Sequence, residues 1–469
     1  MTIADKTRVS EVTFEDISPV TGESVGQYQA MTPDDALEIA GYAATAQKAW
    51  ASTTFVERRR ILLAAADDLE VNLESHIESM ALEIGGTRPW AEMNVHEAAA
   101  TLREAAGLTS AAVGQFLPSG VPGTVNHSLR EPAGVSLSIV PWNAPLILSA
   151  RSSAISLAVG NAVIIRPSEE SPRAAGILLS EALQHAGLPK GVLSIVTTRA
   201  GDGRRVINAL IDSPEVRRVA FIGSTPVGRA IASRSGAALT PAVMELGGKN
   251  ATIVRRDADL DSWAPQLAFA SFVNSGQVCM GTDRILVHRD RYKETVERLS
   301  AIADGMKVGD PRQAGVDLGP VINDGAATRF HELISDARAA GAAVAAGGEV
   351  DGRYARPTVL TGVNSACRFA VEEGFVPIVE VLPFDEDSEA IEFANSLAEG
   401  LIASVVSADR DAAYAIARQL RTGAVHVNGP SVGDEPHVPF GGLGASGMGR
   451  LGGWDSVSFY TEQRTLYVH

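Results

Sequence analysis

Short apolar stretches that predict strands alternate with stretches that predict helices between residues 136 and 235. The strands are predicted at 136–140, 162–166, 192–196 and 216–222. Repeated strand–helix units of this length predict a parallel, doubly wound sheet that binds a ligand at the carboxyl ends of its strands. A second α/β block follows Asn250, and a chain of 469 residues is too long for one compact core. We therefore predict an α/β protein with more than one domain.

The N-terminal part of the chain predicts helices that pack and carry no chemistry. Residues 32–35, Thr-Pro-Asp-Asp, have the form of a helix start, with a capping hydroxyl, a proline in the first turn and two acids. A second helix is predicted over 56–82, where Ile61, Leu69 and Ile77 lie on one side at helical spacing.

Composition restricts the compartment and the partners. A formal charge of −16 disfavours nucleic acid and anionic membranes, because phosphate contacts need clustered Lys and Arg. No run of eighteen apolar residues occurs. The only two cysteines, Cys279 and Cys367, argue against a disulfide framework and against a multi-cysteine metal site. We therefore expect no metal. The segment Met1–Lys6 has no apolar stretch with a cationic flank, so we expect no secretory signal and a cytoplasmic protein.

One turn in the alternating region has features of a phosphate site. The predicted strand 216–222 leads into Gly223 and Ser224, and Gly228 follows in the helix that begins there. Glycine allows the backbone to approach a phosphate closely, and a helix N-terminus favours negative charge. The spacing is not Gly-x-Gly-x-x-Gly, so an ordinary strand-to-helix connection is the alternative.

A candidate nucleophile follows the second predicted block's first helix. Cys279 stands after Gly276 at the end of an apolar run that begins near Trp263 and predicts a buried helix. A thiol in such a place can act as a nucleophile, because a helix end or nearby amides stabilise the reactive thiolate. A small buried apolar cysteine is the alternative.

Three segments in order resemble those of the aldehyde dehydrogenase superfamily. They are Pro141-Trp142-Asn143, Met244-Glu245-Leu246-Gly247-Gly248-Lys249-Asn250 and Gly276-Gln277-Val278-Cys279. The resemblance implies that Cys279 attacks an aldehyde carbon to form a thiohemiacetal, whose oxyanion accepts hydrogen bonds from the Asn143 amide and the Cys279 N–H. Hydride then passes to a nicotinamide, and Glu245 activates the water that hydrolyses the thioester. A capping acid is the alternative for Glu245, and a turn residue for Asn143.

The resemblance also implies an NAD site. Glu373 matches a glutamate that binds the nicotinamide ribose and Phe375 a residue beside the ring, although Val376 replaces a usual glycine. Glu169 is expected to accept hydrogen bonds from the adenosine ribose and to repel a 2′-phosphate, which favours NAD. Arg166 replaces a usual lysine and would partly offset that repulsion, so NADP is left open; a salt bridge between Arg166 and Glu169 is the alternative. The implied cofactor-binding residues are Trp142, Arg166, Ser168, Glu169, Gly223, Ser224, Gly228, Leu246, Glu373 and Phe375.

Within the superfamily, the chain looks most like the aryl-aldehyde branch of benzaldehyde, salicylaldehyde and vanillin dehydrogenases. The segment 439–447 matches the family's C-terminal segment except for Gly444, which stands at a usual lysine. We expect Trp90, Arg151 and Phe440 in the substrate pocket, and for Trp90 a core position is the alternative. An aliphatic semialdehyde is the alternative substrate, because Arg151 or His437 can meet a carboxylate.

The implied fold has a doubly wound parallel-sheet cofactor domain, an α/β catalytic domain and a small oligomerisation sheet. We assign 1–123 and 136–247 to the NAD-binding domain, 248–424 to the catalytic domain, and 124–135 with 425–469 to oligomerisation. A homodimer or homotetramer is expected, with a small-molecule aldehyde and neither nucleic acid nor membrane as partner. A coenzyme A-acylating enzyme is disfavoured by Glu245. A non-catalytic relative is disfavoured by the intact set of Cys279, Glu245 and Asn143.

Overall fold

The computed structural model describes residues 12–469. The predicted lack of a secretory signal at Met1–Lys6 lies outside these residues. The α-helices are α1 Pro33–Ala51, α2 Phe55–Val71, α3 Leu73–Ile84, α4 Arg88–Gly107, α5 Pro145–Ala158, α6 Leu178–His185, α7 Gly203–Asp212, α8 Thr225–Ala237, α9 Leu260–Phe272, α10 Arg289–Gly305, α11 Asp324–Ala339, α12 Asp387–Ala394, α13 Arg410–Ala417 and α14 Gly453–Tyr460.

The strands occur in several sheets. They are β1 Thr13–Ile17, β2 Ser24–Gln29, β3 Gln115–Leu117, β4 Val125–Pro132, β5 Val135–Val140, β6 Ala162–Pro167, β7 Leu193–Ile195, β8 Val216–Gly223, β9 Ala242–Leu246, β10 Asn250–Val254, β11 Thr282–His288, β12 Ala343–Ala346, β13 Val350–Asp351, β14 Tyr354–Ala355, β15 Thr358–Thr361, β16 Ile378–Phe384, β17 Glu399–Gly400, β18 Ile402–Val406, β19 Ala424–Val427, β20 Leu443–Gly444, β21 Gly447–Met448 and β22 Thr461–Val468. This mixture confirms the predicted α/β class.

The first large sheet has the strand order β21-β9-β8-β5-β6-β7, and all its neighbouring strands are parallel except β21 and β9. Its strands are covered on both faces. Val163 and Ile165 of β6 pack in the layer of α2, α4 and α5, whereas Ile164 packs in the layer of α1 and α7. Because both faces are buried, these strands appear in the sequence as continuous apolar runs.

The second large sheet has the order β12-β15-β16-β11-β10-β18-β19, and only the edge strand β12 runs antiparallel. Strand β9 ends at Leu246 in the first sheet, and β10 begins at Asn250 in the second. Residues 247–249 therefore cross from one sheet to the other. This crossing brings the motif that contains Glu245 to the junction of the two sheets.

A third, antiparallel sheet has the order β22-β4-β3, and β22 pairs with β4 from Thr461 opposite Pro132 to Val468 opposite Val125. Parts of the two segments predicted to oligomerise, β4 and β22, therefore meet in one sheet. Strand β3, which was assigned to the NAD-binding domain, also joins it, whereas β21 of the 425–469 segment belongs to the first large sheet. The role of these segments in assembly stays a prediction. No helix within residues 12–469 is both long and apolar enough to cross a membrane.

The predicted single helix over 56–82 is wrong, because the structure has α2 and α3 there, with Asn72 between them. Asn72 has φ −94° and ψ 19°, and its side-chain amide donates to the Asp68 carbonyl. Apolar residues continue at helical spacing across this break, so the pattern does not reveal it. The helix before β7 begins as a π-helix, Arg173–Ile177, and continues as α6.

Candidate active site

A cavity of about 1030 Å³ lies where the loops of the two large sheets meet. Residues after β5, β8 and β9 line it, so it opens at the carboxyl ends of these strands, as predicted for the ligand site. It brings together many of the predicted site residues: Trp142, Asn143, Glu169, Gly223, Ser224, Glu245, Leu246, Cys279, Glu373, Phe375 and Phe440. Within residues 12–469, its lining does not include Trp90, Arg151, Arg166, Ser168 and Gly228.

Cys279 stands in a loop held by a tight turn. The predicted buried helix is α9, but it ends before the cysteine, and residues 274–276 follow with φ of 52°, 57° and 72°. Glycine is required at 276 because of its positive φ and because a Cβ there would lie 2.3 Å from the Val376 carbonyl oxygen. Residues other than glycine, such as Asn274 and Ser275, seldom adopt this left-handed conformation. The contacts around the turn must therefore stabilise it. The turn, and not the helix itself, places Cys279 in the cavity.

Asn143 is fixed against the loop that carries Cys279. Its Nδ2 donates to the Gln277 carbonyl at 3.0 Å, and its own carbonyl accepts from Asn274 Nδ2 at 3.0 Å. The Trp90 indole Nε1 donates to the same Asn143 carbonyl at 3.0 Å from within α4. Trp90 is 3% exposed and packs in the hydrophobic core formed with α2 and α5. The structure thus places Trp90 behind Asn143, which is the core alternative.

Glu245 ends inside the cavity without a hydrogen-bond partner on either carboxylate oxygen among residues 12–469. It therefore does not cap the following turn. Burial raises the pKa of this carboxyl well above its usual range, and Asp434 adds to the shift, while Arg151 and Arg450 oppose it. A buried carboxyl with a raised pKa, facing the same cavity as a thiol, has the properties of a general base.

The Cys279 thiol is half-buried and is not part of a disulfide. Burial, together with the charges of Glu373, Glu245 and Asp434, raises its pKa to about 12, and the hydrogen bond from the Met280 N–H only partly opposes this shift. The resting sulfur is therefore protonated at neutral pH. Among the described residues, no group of His, Cys, Asp and Glu side chains is arranged to hold a metal ion.

The turn between β8 and α8 fits a pyrophosphate. Ser224 precedes the first turn of α8, and both Gly223 and Ser224 line the cavity. Gly228 has a different role, because a Cβ there would lie 2.4 Å from the Leu246 side chain. It allows α8 to pack closely on β9. The first turn of α8, residues 225–227, also lines the cavity, and a helix N-terminus favours an anion.

The expected adenosine end contains a salt bridge. Arg166 Nη2 donates to Glu169 Oε2 and to Thr198 Oγ1, both at 2.7 Å. Glu169 still lines the cavity, whereas Arg166 is buried behind it. Ser168 is also buried, and its N–H donates to the Val140 carbonyl. The salt-bridge alternative is therefore present together with a cavity-facing Glu169.

At the other end, the Glu373 carboxylate accepts the Gly248 N–H at 3.2 Å. Burial and the charge of Asp283 together raise the pKa of Glu373 to about 7, against the opposing effects of the Gly248 N–H and the charges of Lys249 and Arg329. Phe375 packs edge-on against Trp142, with ring centroids 5.7 Å apart. The positive φ of this segment, 53°, falls on Phe375, so Val376 needs no special backbone and its side chain packs in a core cluster.

Arg151 and Phe440 lie together near Glu245. The Arg151 guanidinium forms an ion pair with Asp434 and lies 5.6 Å from the centroid of the Phe440 ring. Its Nη1 is buried and has no hydrogen-bond partner among the described residues. Gly444, the other departure from the family pattern, has φ 60°, and a Cβ there would lie 2.3 Å from the Ala398 carbonyl. A lysine would not fit this local backbone.

Four residues of the site have no role that was predicted from the sequence. Asp434 partners Arg151, and Arg329 lines the cavity and donates to the Glu373 and Gly374 carbonyls. Lys249 and Asp283 form a buried ion pair beneath Glu373. The sequence does contain a usable signal for this pair, because Lys249 and Asp283 are charged residues in otherwise apolar stretches, next to β10 and in β11. A buried charge needs a partner, so such residues predict an ion pair.

Comparisons with known proteins agree with this geometry. The model of the aldehyde dehydrogenase family matches residues 6–466. A vanillin dehydrogenase from Pseudomonas fluorescens is 41% identical over 452 residues, covering 96% of this chain and 93% of the relative. A benzaldehyde dehydrogenase (NAD(+)) from Pseudomonas putida is 38% identical over 451 residues, covering 96% and 92%. The crystal structure of a salicylaldehyde dehydrogenase from Pseudomonas putida G7 complexed with salicylaldehyde superposes with a TM-score of 0.95 at 36% identity, covering 98% and 95%.

Proposed function

The chain belongs to the aldehyde dehydrogenase family, and we propose that it oxidises aromatic aldehydes to carboxylic acids, with Cys279 as nucleophile, Glu245 as base and NAD as cofactor. One observation carries the proposal. A single cavity joins the thiol of Cys279, the unpartnered carboxyl of Glu245 and the amide of Asn143 to the turn at Gly223 and Ser224.

In the first step, the Cys279 thiol releases its proton to solvent and Sγ forms a bond to the aldehyde carbon, while the carbonyl π electrons move to the oxygen. The Asn143 amide and the Cys279 backbone N–H donate to this oxyanion, and such a donor is typically worth about 3 kcal/mol. Asn143 is suited to this role because its backbone is held by Trp90 and Asn274. When the oxyanion collapses, the bond between carbon and hydrogen breaks and a thioester remains on Cys279.

NAD, when bound, accepts the hydride that leaves the aldehyde carbon. The residues present fit it: Ser224 and the start of α8 can hold the pyrophosphate, and Glu169 and Glu373 can accept hydrogen bonds from the two riboses. Phe375 and Trp142 would flank the nicotinamide end. Since Glu169 faces the cavity and Arg166 does not, we expect NAD to bind more tightly than NADP.

Glu245 then takes a proton from the water that attacks the thioester. Its carboxyl has no other partner within residues 12–469, so it is free to accept that proton. The bond between carbon and sulfur breaks, the carboxylic acid leaves, and Cys279 recovers its proton. An enzyme that transfers the acyl group to coenzyme A needs no such base.

Two aromatic residues that line the cavity, Phe440 and Trp142, support a preference for an aromatic ring. The similar proteins named as vanillin and benzaldehyde dehydrogenases support it as well. Burying about 100 Å² of ring at ~25 cal/mol per Å² is worth about 2.5 kcal/mol, which a two-carbon aldehyde does not gain. The unpartnered Nη1 of Arg151 favours an aliphatic semialdehyde as the second candidate. Asp434 already neutralises Arg151, however, so a carboxylate would gain less there.

We also propose a homo-oligomer in a reducing, cytoplasmic compartment. Exposed apolar side chains on the third sheet, Phe116, Val125, Tyr467 and Val468, support association through that surface. Both cysteines are free, which supports a reducing compartment. Sedimentation of the purified chain decides between monomer, dimer and tetramer.

The substrate experiment compares kcat/KM for benzaldehyde, acetaldehyde and succinic semialdehyde with NAD, following NADH absorbance. Benzaldehyde should exceed acetaldehyde by at least about tenfold. A higher value for the semialdehyde would replace the aromatic substrate with an aliphatic one. Stimulation by coenzyme A would indicate acyl transfer, and Cys279→Ala provides the inactive control.

A further inference from the structure

A buried pair of charges lies beneath the cofactor end of the cavity and has no role in the steps above. Lys249 Nζ lies 3.3 Å from Asp283 Oδ1, and the lysine side chain is 1% exposed. Its ammonium group lies 3.2 Å from the centroid of the Phe369 ring. Lys249 belongs to the segment that crosses between the two large sheets, and Asp283 belongs to β11, just after Cys279.

The pair is connected to Glu373 through the backbone. Asp283 Oδ1, which pairs with Lys249, also accepts the Gly374 N–H at 3.2 Å. On the other side, the Gly248 N–H donates to Glu373 Oε1. Gly247 leaves the space for this carboxylate, because a Cβ there would lie 2.2 Å from Glu373 Oε2. The 247–249 crossing thus holds both the backbone and the carboxylate of the Glu373 segment.

Further charges surround the same place. Glu380 is fully buried, neither of its carboxylate oxygens has a hydrogen-bond partner among the described residues, and Lys249 and Arg284 both interact with its charge. Arg284 donates to the Lys249 carbonyl. Lys249 therefore lies among the carboxyl groups of Asp283, Glu373 and Glu380; burial lowers the pKa of its ammonium group, and the charges of Asp283 and Glu380 oppose that shift. A buried ion pair seldom adds net stability over an apolar pair of similar size, so its presence here needs another explanation.

We propose that Lys249 and Asp283 are positioning residues for cofactor binding, because their ion pair holds Glu373 in the cavity wall where its carboxylate can accept hydrogen bonds from a ribose of NAD. The inference rests on the cofactor site of the proposed function. It predicts that Lys249 affects the affinity for NAD only through Glu373. Replacing Lys249 should leave aldehyde binding unchanged.

The test is a double-mutant cycle on the full-length enzyme with Lys249→Met, Glu373→Gln and the combined variant. The dissociation constant for NAD is measured by calorimetric titration without aldehyde, and melting temperatures verify folding. Each single variant should weaken NAD binding about tenfold, as expected for a lost hydrogen bond to a charged group. The combined variant should bind NAD only about as weakly as Glu373→Gln, because the two changes remove the same contact. Lys293→Met, at an 89% exposed lysine, is the matched control and should bind NAD like the wild type.

Kinetics add a second measurement, since KM for NAD should rise while KM for benzaldehyde stays unchanged. A folded Lys249→Met enzyme with wild-type NAD affinity, or losses that multiply in the combined variant, would overturn the inference. If Lys249→Met does not fold, Asp283→Asn enters the same cycle, because it removes the charge but keeps an acceptor for Gly374. A wild-type enzyme that does not bind NAD at all would overturn the cofactor assignment as well.

Discussion

Replacing Trp90 by phenylalanine tests how the site is held together. The change removes one of the two donors to the Asn143 carbonyl and leaves the other, Asn274 Nδ2, in place. Because that carbonyl keeps a partner, the hydrogen-bond loss should cost only about 1 kcal/mol. The smaller ring leaves a cavity in the core around α4, which adds about 1–2 kcal/mol. We expect the free energy of unfolding to fall by about 2–3 kcal/mol in total.

The effect on catalysis should be uniform across aldehydes. Asn143 loses part of its support, so its amide donates less well to the oxyanion, and a complete loss of that donor would cost about 3 kcal/mol. A partial loss of about half of this corresponds to a roughly tenfold lower kcat. Trp90 is not among the residues that line the cavity within residues 12–469. The kcat values for benzaldehyde and for acetaldehyde should therefore fall by the same factor.

The assay measures kcat and KM of Trp90→Phe for both aldehydes at saturating NAD, with denaturant unfolding for stability. Trp454→Phe, at a half-exposed tryptophan, is the control and should change neither quantity. A loss confined to benzaldehyde, with acetaldehyde unaffected, would refute this reasoning and make Trp90 a wall of the substrate pocket.

Three further predictions concern single residues of the site. Glu245→Gln should produce one fast equivalent of NADH per active site and then little turnover, because hydride transfer precedes hydrolysis; in stopped-flow measurements, absence of the burst would assign Glu245 to an earlier step. Glu169→Gln should narrow the gap between KM for NAD and KM for NADP, since it removes the carboxylate that repels a 2′-phosphate while Arg166 remains; an unchanged ratio would exclude Glu169 from the ribose site. NAD affinity should rise as the pH increases through about 7, because burial raises the pKa of Glu373 to near that value and the ionised carboxylate is the better acceptor; calorimetric titrations from about pH 6 to about pH 8 check this.

The sequence predicted the sheets more completely than the breaks within helices. The strands 136–140, 162–166 and 216–222 coincide with β5, β6 and β8 because strands buried on both faces have an unbroken apolar pattern. The boundary at Asn72 was missed because the apolar spacing of α2 continues into α3. The turn at 274–276 was missed because its conformation is imposed by contacts such as that between Gly276 and the Val376 carbonyl, which lie far apart in the chain.

In the site, too, the sequence predicted residues that belong to local motifs better than residues placed by contacts between distant parts of the chain. Local motifs predicted the residues that face the cavity, such as Glu245, Glu373 and Ser224. Most residues that contact these from behind lie outside the motifs, because their roles depend on tertiary contacts. Asp434 meets Arg151 across most of the chain's length, and Trp90 meets Asn143 in the core. The substitutions Val376 and Gly444 are explained only by the backbone, because φ is positive at Phe375 and at Gly444.

The electrostatics of Cys279 and Glu245 suggest why the two groups would act in succession. An ionised Glu245 raises the pKa of the Cys279 thiol, and the interaction between two like charges is mutual, so each group opposes ionisation of the other. While the sulfur is a thiolate, the neutral form of Glu245 is therefore favoured. Once Cys279 carries an acyl group it can no longer be charged, and that opposition to the ionisation of Glu245 disappears. In the proposed mechanism, formation of the thioester thus removes one opposing charge, while burial, the main cause of the raised Glu245 pKa, remains.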